Sequence, residues 1–576
     1  MKLVPFPFAQ IRIFLQPLEV VFFSGIALLF LRVRQIHFSA WFFVILSAVL
    51  QILIFPLPGV FLLSWFALAP LIIALLRARP TGELEIAGVV RLSPASPGQA
   101  FLLSYMCGIL FYAGTCYWIY DTMRQYGGLS APMAGLALFL FCCYLGLYHG
   151  LFGLLLGLLA GPARDYRRAL ATAPFLWVAV ELARTRITGF PWNLLGVAQV
   201  DNTSLCRVAA WTGVYGISFE VALVNVALAA AFVIPREKRG AMLAAALAAG
   251  AVLQAGSLID APPAKADHVA LLVQQNLPVA ADWSPLYFQQ TLSQLIDLSE
   301  KDLIEKSAAQ ASSGKIGLIV WPESPAPFFT NDARFRAAIV SLAQKSNAWV
   351  LTGSIGTASP LPGESTSQMF NSAALVSPFG EWTARYDKIH LVPFGEYLPF
   401  PSLFAFAGGL TKEVGGFEHG TSRATLDAGG TKLGVFICYE SIFPDEVRQF
   451  ANNGAQVFVN ISNDGWYGDS GAYAQHLNQT RMRAIENNRW ILSDTDTGVT
   501  ASIDPWGRVV AKIPRKERAT LAAPYALTSV TTFYARHGDW FAYACAIISL
   551  GALISRFASS KNRNQNRKPE KADASS

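Results

Sequence analysis

Residues 432–441 read Lys-Leu-Gly-Val-Phe-Ile-Cys-Tyr-Glu-Ser, and this stretch decides how the middle of the chain is interpreted. Its hydrophobic run is typical of a buried β-strand. The run delivers Cys438 to its C-terminal end, just before a helix predicted near 443–452. A thiol near a helix N-terminus and a lysine can have a lowered pKa, which favours a thiolate nucleophile. The alternative is a buried, unreactive cysteine, because most free cysteines have that role.

The segments on both sides of this stretch alternate between strand and helix patterns. Helices are predicted at 286–313, 333–346, 443–452 and 471–488. Strands are predicted at 268–276, 316–321, 349–354, 369–377, 381–386, 432–438, 456–461 and 490–493. The strands 369–377 and 381–386 are expected to form a hairpin, and a second hairpin is predicted at 499–513. This alternation indicates an α/β domain whose sheets are covered by helices, and we place its limits at 260–537.

Two further runs place charged residues where strands end. In Ile319–Ser324, Glu323 follows a buried strand and a proline, at a sheet edge where the active sites of α/β folds collect. The run 386–399 contains Lys388 and Glu396 among aromatic residues and prolines, and it has neither helical nor strand periodicity. Taken singly, each of these three charged residues is more simply explained as a solvated loop residue or a surface ion-pair partner.

The composition of the whole chain indicates a membrane protein. Of its 576 residues, 53% are hydrophobic and 14% are charged, whereas about a quarter of the residues are charged in a soluble protein. Apolar blocks long enough to span a bilayer lie near 16–31, 39–56, 58–77, 101–120, 131–160, 170–187, 212–234, 240–258 and 539–555. The net charge of +7 is modest and comes largely from short loops between these blocks, which favours membrane orientation over nucleic-acid binding.

The basic loops predict how the chain is oriented. Arginine and lysine cluster at residues 32–34, 77–91, 164–168 and 236–239 and from Arg556 onward, all on one side if the spans alternate. By the positive-inside rule that side is cytoplasmic, so the α/β domain lies on the opposite face. The predicted organisation is an extra apolar segment at 1–38, a helical bundle at 39–259, the α/β domain at 260–537, a final spanning helix at 538–557 and a disordered cytoplasmic tail at 558–576.

The seven cysteines contain no CxxC pair and no His/Cys cluster with zinc spacing, so we predict no structural metal. Six of them lie in or beside the apolar blocks, and Cys438 is the only one in the α/β segment. A lone thiol there cannot form a disulfide within its own domain.

Taken together and in order, the three runs carry a resemblance that none of them carries alone. Trp-Pro-Glu at Glu323, the lysine of Lys388-Ile-His-Leu-Val-Pro-Phe-Gly-Glu, and Cys438-Tyr-Glu after a strand resemble the Glu/Lys/Cys triad of the nitrilase superfamily. Five further features resemble the bacterial apolipoprotein N-acyltransferase family. They are the membrane half and the motifs Val273–Pro278 with Trp283 beyond it, Ser462–Gly468, Gly189–Trp192 and Gly498–Ala501.

The resemblance implies a polytopic helical membrane bundle joined to a nitrilase-like four-layer αββα sandwich. Matched position by position, Cys438 would be the nucleophile, Glu323 the general base and Lys388 the group that stabilises the oxyanion. The resemblance also implies supporting roles at Glu396, Tyr439, Glu440, Trp283 and Trp466. Such a triad needs no metal or cofactor.

The resemblance further implies the substrates. A phospholipid, chiefly phosphatidylethanolamine, would donate its sn-1 acyl chain through a thioester on Cys438. The acceptor would be the α-amino group of the S-diacylglyceryl cysteine of an apolipoprotein. The enzyme would be a multi-pass protein of the bacterial inner membrane, with the catalytic domain in the periplasm. Elementary chemistry agrees, because acyl transfer from an ester needs a nucleophile, a base and positive charge at the oxyanion.

Two places in the sequence are candidates for contacts with lipid. The apolar loop Phe400–Leu410 is a possible entry route for acyl chains, although it could equally pack against the bundle. Glu181, Arg184 and Glu220 lie in the membrane half and could shape a headgroup site, or form an internal structural pair.

Two other functions remain open on the sequence alone. A membrane-tethered amidase or nitrilase could use the same triad on a small nitrogen compound, but a tether needs one helix and this chain has many apolar blocks. A transporter or channel with a periplasmic sensing domain is the other alternative, and no paired broken segments mark an inverted repeat.

Overall fold

The computed structural model describes residues 34–84, 90–161, 166–233, 236–259, 261–279, 283–309, 316–323, 326–359, 367–398 and 416–565. The predicted extra segment 1–38 therefore lies mostly outside the described residues, and the loop Phe400–Leu410 lies wholly outside them.

The first part of the described chain is almost entirely helical. Its helices are α1 (Phe38–Leu53), α2 (Ser64–Ala67), α3 (Ala69–Leu76), α4 (Pro97–Thr115), α5 (Trp118–Gln125), α6 (Ala131–Ala160), α7 (Tyr166–Ala183), α8 (Thr203–Cys206), α9 (Ala209–Thr212), α10 (Val214–Ala231) and α11 (Arg236–Ala255). A short hairpin of β1 (Arg79–Leu84) and β2 (Val90–Ser93) interrupts them. Buried apolar side chains from these helices form one continuous core.

Several of these helices are long and apolar enough to cross a bilayer. Among the described residues, four segments meet that test: Ala131–Ala160, Val214–Ala231, Glu237–Leu258 and Trp540–Ser559. The pair α4 and α5 meets it jointly, with a bend of 54° between the two helices. The spans predicted near 131–160, 212–234, 240–258 and 539–555 therefore coincide with long apolar helices.

Three predicted spans are less regular than the sequence suggested. The block near 39–56 forms a helix of only 16 residues, which ends before Pro56 and Pro58, because proline disfavours helical geometry in the residue before it. The block near 58–77 is divided between a 3₁₀ turn and the short helices α2 and α3. The block near 101–120 bends after α4, where the Thr115 hydroxyl donates to the Phe111 carbonyl at 2.9 Å, a bond that commonly accompanies helix bending.

The last helix, α17 (Trp540–Gln565), follows the short helix α16 (Phe533–His537). It continues through Gln565, so the beginning of the segment predicted as a disordered tail, 558–576, is helical. The remaining residues of that tail, 566–576, lie outside the described residues.

The α/β part contains two six-stranded sheets. The first has the order β14-β3-β4-β5-β6-β7 and the second has the order β13-β12-β11-β10-β9-β8. The strands are β3 (His268–Gln274), β4 (Ile316–Val320), β5 (Trp349–Ala358), β6 (Gln368–Val376), β7 (Trp382–Asp387), β8 (Leu426–Ala428), β9 (Thr431–Ile437), β10 (Val457–Ser462), β11 (Ile491–Thr495), β12 (Thr500–Ile503), β13 (Val509–Ile513) and β14 (Ala519–Tyr525). The predicted strands and both predicted hairpins are present.

Four helices cover these sheets, namely α12 (Pro285–Ala309), α13 (Ala333–Ser346), α14 (Pro444–Asn452) and α15 (Ala472–Asn487). One apolar core lies between the two sheets and includes residues of β3, β4, β9, β10 and β11. Another lies between the first sheet and the helices α12 and α13. The arrangement is the four-layer αββα sandwich that the resemblance implied.

Parallel pairing brings the important strand ends together. β9, β10 and β11 run parallel, with Ile461 opposite Ile437 and Thr495 opposite Ser462. Strand β4 lies parallel to β3 and β5 in the other sheet. Because the carboxyl ends of parallel strands meet at one edge, the residues after β9 and β10 lie near each other. Strand β4 belongs to the other sheet, and Glu323 after it comes close because the two sheets pack face to face, so that its Oε2 accepts from Asn463 N at 2.9 Å.

The sandwich rests on one end of the helical bundle. Arg186, just after α7, forms ion pairs with Asp445 at 2.8 Å and Asp539 at 2.6 Å. The backbone N–H of Val214, at the start of α10, donates to Glu486 of α15 at 2.9 Å. Helix α7 therefore meets the sandwich at its C-terminal end and α10 at its N-terminal end, as neighbouring antiparallel spans do.

Candidate active site

Cys438 lies at the first residue after β9 and opens a 3₁₀ turn, Cys438–Ile442. Its backbone has φ of 51°, in the left-handed region that residues other than glycine rarely adopt. Strained backbone of this kind collects at functional sites, where the surrounding structure must hold it in place. Cys438 is 6% exposed.

Lys388 lies at the end of the hairpin of β6 and β7 and is fully buried. Its Nζ donates to Glu323 Oε1 at 3.0 Å and to Glu396 Oε1 at 2.9 Å. Burial alone would lower the pKa of Lys388, but the two carboxylates outweigh that effect and hold the pKa well above its usual value. Lys388 is therefore a fixed, buried cation, and the interpretation of Lys388 and Glu396 as surface ion-pair partners is wrong.

The Glu323 carboxylate is held from three directions. Besides Lys388, Oε1 accepts from Asn371 Nδ2 at 2.7 Å, and Oε2 accepts from the backbone N–H of Asn463 at 2.9 Å. Asn371 Nδ2 also donates to Glu396 Oε1 at 2.5 Å. One amide thus joins both carboxylates that contact the lysine. The sequence analysis missed Asn371, since it lies inside strand β6 and its pattern there is unremarkable.

Burial and the charge of Glu323 raise the pKa of the Cys438 thiol well above its usual value, although Lys388 acts in the opposite direction. The prediction that its surroundings lower this pKa is therefore wrong. The physical reason is that burial removes water from around the thiolate and so disfavours it. The short 3₁₀ turn and one lysine shared between two carboxylates do not compensate for that loss. The resting thiol is neutral, so it needs a base to take its proton as it attacks.

Glu440 is completely buried and organises the loop that carries Lys388. Its Oε1 accepts from Tyr386 Oη at 2.8 Å and from the backbone N–H groups of Ile389 at 2.6 Å and His390 at 3.1 Å. Its Oε2 accepts from Ile437 N at 2.7 Å. Glu440 therefore fixes the lysine loop to the strand that delivers the cysteine.

The other predicted supporting residues lie at different distances from this centre. The Tyr439 hydroxyl donates to the Gly189 carbonyl of the bundle at 3.3 Å. Trp466 is 45% exposed and packs edge-on against Tyr126 of the bundle, with ring centroids 5.2 Å apart. Trp283 packs against Tyr287 near the start of α12. Both tryptophans lie outside the hydrogen-bonded cluster around Lys388.

A second polar group adjoins Cys438 from the side of α15. Donor atoms of Cys438, Asp464 and His476 all lie within 4.8 Å of one another, and all three residues are buried. Both ring nitrogens of His476 contact protein: Nδ1 lies 3.1 Å from Asp464 Oδ1 as an ion pair, and Nε2 hydrogen bonds to the Cys438 carbonyl oxygen at 3.0 Å. No sequence pattern predicted this group, because His476 lies inside an ordinary amphipathic helix.

The membrane half contains a cavity, and Glu181 and Arg184 both line it. Glu181 accepts from Leu195 N at 2.8 Å, and Arg184 donates to Tyr112 Oη at 2.9 Å and Trp192 O at 2.8 Å. In the described part of the chain, no ion pair within 4.0 Å joins the two. A headgroup role for them and for Glu220 stays a prediction.

The arrangement contains what a covalent acyl transfer needs. A neutral thiol lies beside a carboxylate that can take its proton, and a buried ammonium lies beside both. Positive charge fixed in a dry site stabilises a developing oxyanion more strongly than it would in water.

Comparison with known proteins agrees with this division of the chain. Residues 47–227 match the family model described as apolipoprotein N-acyltransferase N-terminal domain, and residues 273–534 match the carbon-nitrogen hydrolase model. Among solved structures, an amidase from Nesterenkonia sp. is similar at 17% identity and a TM-score of 0.32, covering 49% of this chain and 97% of that one.

Two curated relatives are similar over most of their length. The apolipoprotein N-acyltransferase of Geobacter metallireducens is 34% identical over 541 residues, covering 92% of this chain and 98% of that protein. The apolipoprotein N-acyltransferase of Methylococcus capsulatus is 33% identical over 482 residues, covering 83% of this chain and 91% of that protein.

Proposed function

Since this chain belongs to the apolipoprotein N-acyltransferase family, we propose that it moves a fatty acyl chain from a phospholipid to an apolipoprotein through a thioester on Cys438. The donor is a phospholipid, chiefly phosphatidylethanolamine, which gives up its sn-1 chain. The acceptor is the α-amino group of an S-diacylglyceryl cysteine. Glu323, Lys388 and Cys438 carry out the chemistry.

The position of Cys438 at the junction with the helical bundle supports this proposal most. The next residue, Tyr439, donates a hydrogen bond to Gly189 of the bundle. On the other side, the ring of His476 stacks on Trp192 of the bundle, with centroids 6.3 Å apart and planes at 8°. A nucleophile placed against membrane helices suits an acyl ester that stays in a lipid layer, and it suits a small water-soluble amide less well.

In the first half-reaction, Cys438 attacks the ester carbonyl of the phospholipid. Its thiol proton passes to Glu323, and the sulfur–carbon bond forms as the carbonyl oxygen becomes an oxyanion beside the Lys388 ammonium. When the oxyanion collapses, the ester carbon–oxygen bond breaks, and the leaving alkoxide takes the proton from Glu323. The products are a lysophospholipid and the Cys438 thioester.

In the second half-reaction, the acceptor amine attacks the thioester. Glu323 takes a proton from the amine, the carbon–nitrogen bond forms, and the carbon–sulfur bond breaks to release the Cys438 thiolate, which is reprotonated by Glu323. Glu396 and Asn371 keep the pair in place throughout, because Glu396 accepts from Lys388 and Asn371 donates to Glu323. The sequence of steps predicts ping-pong kinetics.

The charges of the bundle support an inner-membrane location with the catalytic domain in the periplasm. The end of the bundle away from the sandwich contains Arg239, which donates to Ala231 O, and Arg77, which donates to Phe232 O. Arg556 of α17 lies against Gly161 at the end of α6. Basic residues thus gather at the end opposite Cys438, and the positive-inside rule assigns that end to the cytoplasm.

The test is mass spectrometry of the purified, full-length protein after incubation with phosphatidylethanolamine alone. A fatty-acyl adduct should appear and map to Cys438. Addition of a diacylated lipopeptide should remove the adduct and yield an N-acylated peptide. Release of ammonia from simple amides, without any transfer of lipid, would instead indicate a hydrolase.

Two variants separate the roles. Cys438→Ala should form no adduct, and Glu323→Ala should form none because the neutral thiol keeps its proton. Glu300→Ala is a matched control, since Glu300 pairs with Lys345 at the surface at 3.0 Å. Accumulation of the adduct at the normal rate in Glu323→Ala would show that another group is the base.

A further inference from the structure

His476 sits directly beneath the turn that carries the nucleophile. Its Nε2 lies 3.0 Å from the carbonyl oxygen of Cys438 and 2.8 Å from Ser441 Oγ, so it spans the first and fourth residues of the turn. His476 is 2% exposed, and its ring is enclosed by Trp192 and Tyr467. None of the steps proposed above uses it.

The contacts of this ring favour its protonated state. A carbonyl oxygen only accepts, so the bond to Cys438 requires a proton on Nε2. At the other nitrogen, Asp464 Oδ1 lies 3.1 Å from Nδ1 and accepts from Ser462 Oγ at 2.7 Å. A carboxylate this close favours a proton on Nδ1 as well. A histidine with a proton on both nitrogens is an imidazolium.

We propose that His476, held by Asp464, is a positioning residue that locks the Cys438 turn and places a second positive charge beside the sulfur. The proposal rests on the proposed role of Cys438 as the nucleophile. Locking matters because the left-handed backbone at Cys438, with φ of 51°, must be held by its surroundings. The bond to the Cys438 carbonyl is the contact that does so from the side of α15.

The charge of His476 complements that of Lys388. Lys388 is shared between two carboxylates and His476 faces one, so the field of each cation at the sulfur is partly cancelled and the two act together. The imidazolium lies within 4.8 Å of the sulfur from a different element of the sandwich. It stabilises the thiolate in two steps: when the base removes the proton from the thiol, and when the thiolate leaves in the second half-reaction.

The groups that act on His476 point the same way. Burial alone would lower the pKa of His476, but Asp464, the Cys438 carbonyl and the charge of Glu323 raise it above its usual value. Tyr467 is the other titratable side chain against the ring, and burial raises the pKa of that hydroxyl well above its usual value, so it stays neutral.

The experiment measures the alkylation of Cys438 by iodoacetamide as a function of pH in the full-length protein, with the modified peptide quantified by mass spectrometry. This assay reports on the thiol whether or not the protein transfers lipid, so it separates this inference from the proposed function. His476→Gln should move the midpoint of the pH profile upward by about one to three units, the shift expected when an opposite charge at this distance is removed.

Asp464→Asn is the second variant, because it leaves the imidazole in place but removes the carboxylate that faces it. Since Asp464 itself raises the pKa of the Cys438 thiol, its removal opposes the loss of the imidazolium charge, and the midpoint should lie below that of His476→Gln. The matched control is His268→Gln, since His268 also pairs with an aspartate, Asp267, at 2.6 Å but is exposed to solvent. Its profile should equal that of the wild type.

The rates of the two half-reactions, measured separately, give a second test. Both variants should lower the rate of acyl-enzyme formation and that of transfer to the lipopeptide by ~10- to 100-fold, while the concentration of phospholipid needed for half-maximal rate stays unchanged. Two outcomes would overturn the proposal. One is a wild-type pH profile in both variants, and the other is a loss confined to substrate affinity.

Discussion

The amide of Asn371 holds both carboxylates of the site, which makes Asn371→Ala an informative perturbation. The side chain donates to Glu323 at 2.7 Å and to Glu396 at 2.5 Å, and the residue is 5% exposed. Its backbone carbonyl accepts from Lys388 N at 2.8 Å, and that bond survives the substitution. The change therefore removes two charge-assisted hydrogen bonds without removing any group that reacts.

The size of the effect follows from these contacts. A hydrogen bond to a charged group is worth about 1.5–3 kcal/mol. Glu323 keeps Lys388 Nζ and Asn463 N as donors, and Glu396 keeps Lys388 Nζ and Val392 N, so neither carboxylate is left bare. We therefore expect a net loss of about 2–4 kcal/mol of transition-state stabilisation, which corresponds to a decrease of ~30- to 900-fold in rate.

The assay is the time course of the acyl adduct on Cys438 after addition of phosphatidylethanolamine, followed by intact-mass spectrometry. The matched control is Asn452→Ala, which removes a single donor to the Ala535 carbonyl at 2.6 Å, away from the site. Its adduct should form at the wild-type rate. If Asn371→Ala, with an unchanged melting temperature, also formed the adduct within twofold of the wild-type rate, the argument that Asn371 holds the base would be wrong.

Three other predictions follow from single contacts. Gly498→Ala should lower transfer by ~10- to 100-fold, because a Cβ there would lie 2.5 Å from Asp464 Oδ2 and 2.8 Å from Asp464 Cβ; an unchanged rate would refute the tight contact. Burial raises the pKa of Asp496 to about 8, so the folded state loses stability as pH rises from about 4 towards 8. The variant Asp496→Asn should therefore melt at a higher temperature than the wild type at pH 8, and at the same temperature at pH 4. Arg186→Met should destabilise the protein by about 1–3 kcal/mol, because it leaves the buried Asp539 without its cation; the loss is limited because Arg186 itself is partly solvated. The control is Arg334→Met, at an exposed pair with Asp332, which should leave the melting temperature unchanged.

Local patterns predicted an α/β domain with sheets covered by helices, and the resemblance of three short motifs to the nitrilase superfamily implied the sandwich and the triad. Hydrophobic runs marked the strands, Cys438 follows β9 directly and Glu323 lies three residues after β4, but the two strands are in different sheets and only the packing of the sheets brings these residues together. Lys388 follows a hairpin whose turn chemistry is also visible in the sequence.

The sequence could not predict contacts that depend on how separate elements pack. Asn371 and His476 lie inside regular elements and acquire their roles only because β6 and α15 face the strand ends. The direction of the Cys438 pKa shift also escaped prediction, because it depends on burial, which no local motif records. The bend after α4 was missed because a threonine within an apolar run does not alter the hydropathy pattern.

The sandwich is joined to the bundle through both of its chain ends, by α11 before β3 and by α16 and α17 after β14. Arg186 adds a third attachment between them. Three attachments restrict how far the domain can move away from the bundle. If both partners are lipid-anchored, as the proposed function requires, they meet the enzyme within the plane of the lipid layer. Turnover in mixed micelles should then follow the mole fraction of lipid at the surface, fall on dilution with detergent, and not depend on the bulk lipid concentration.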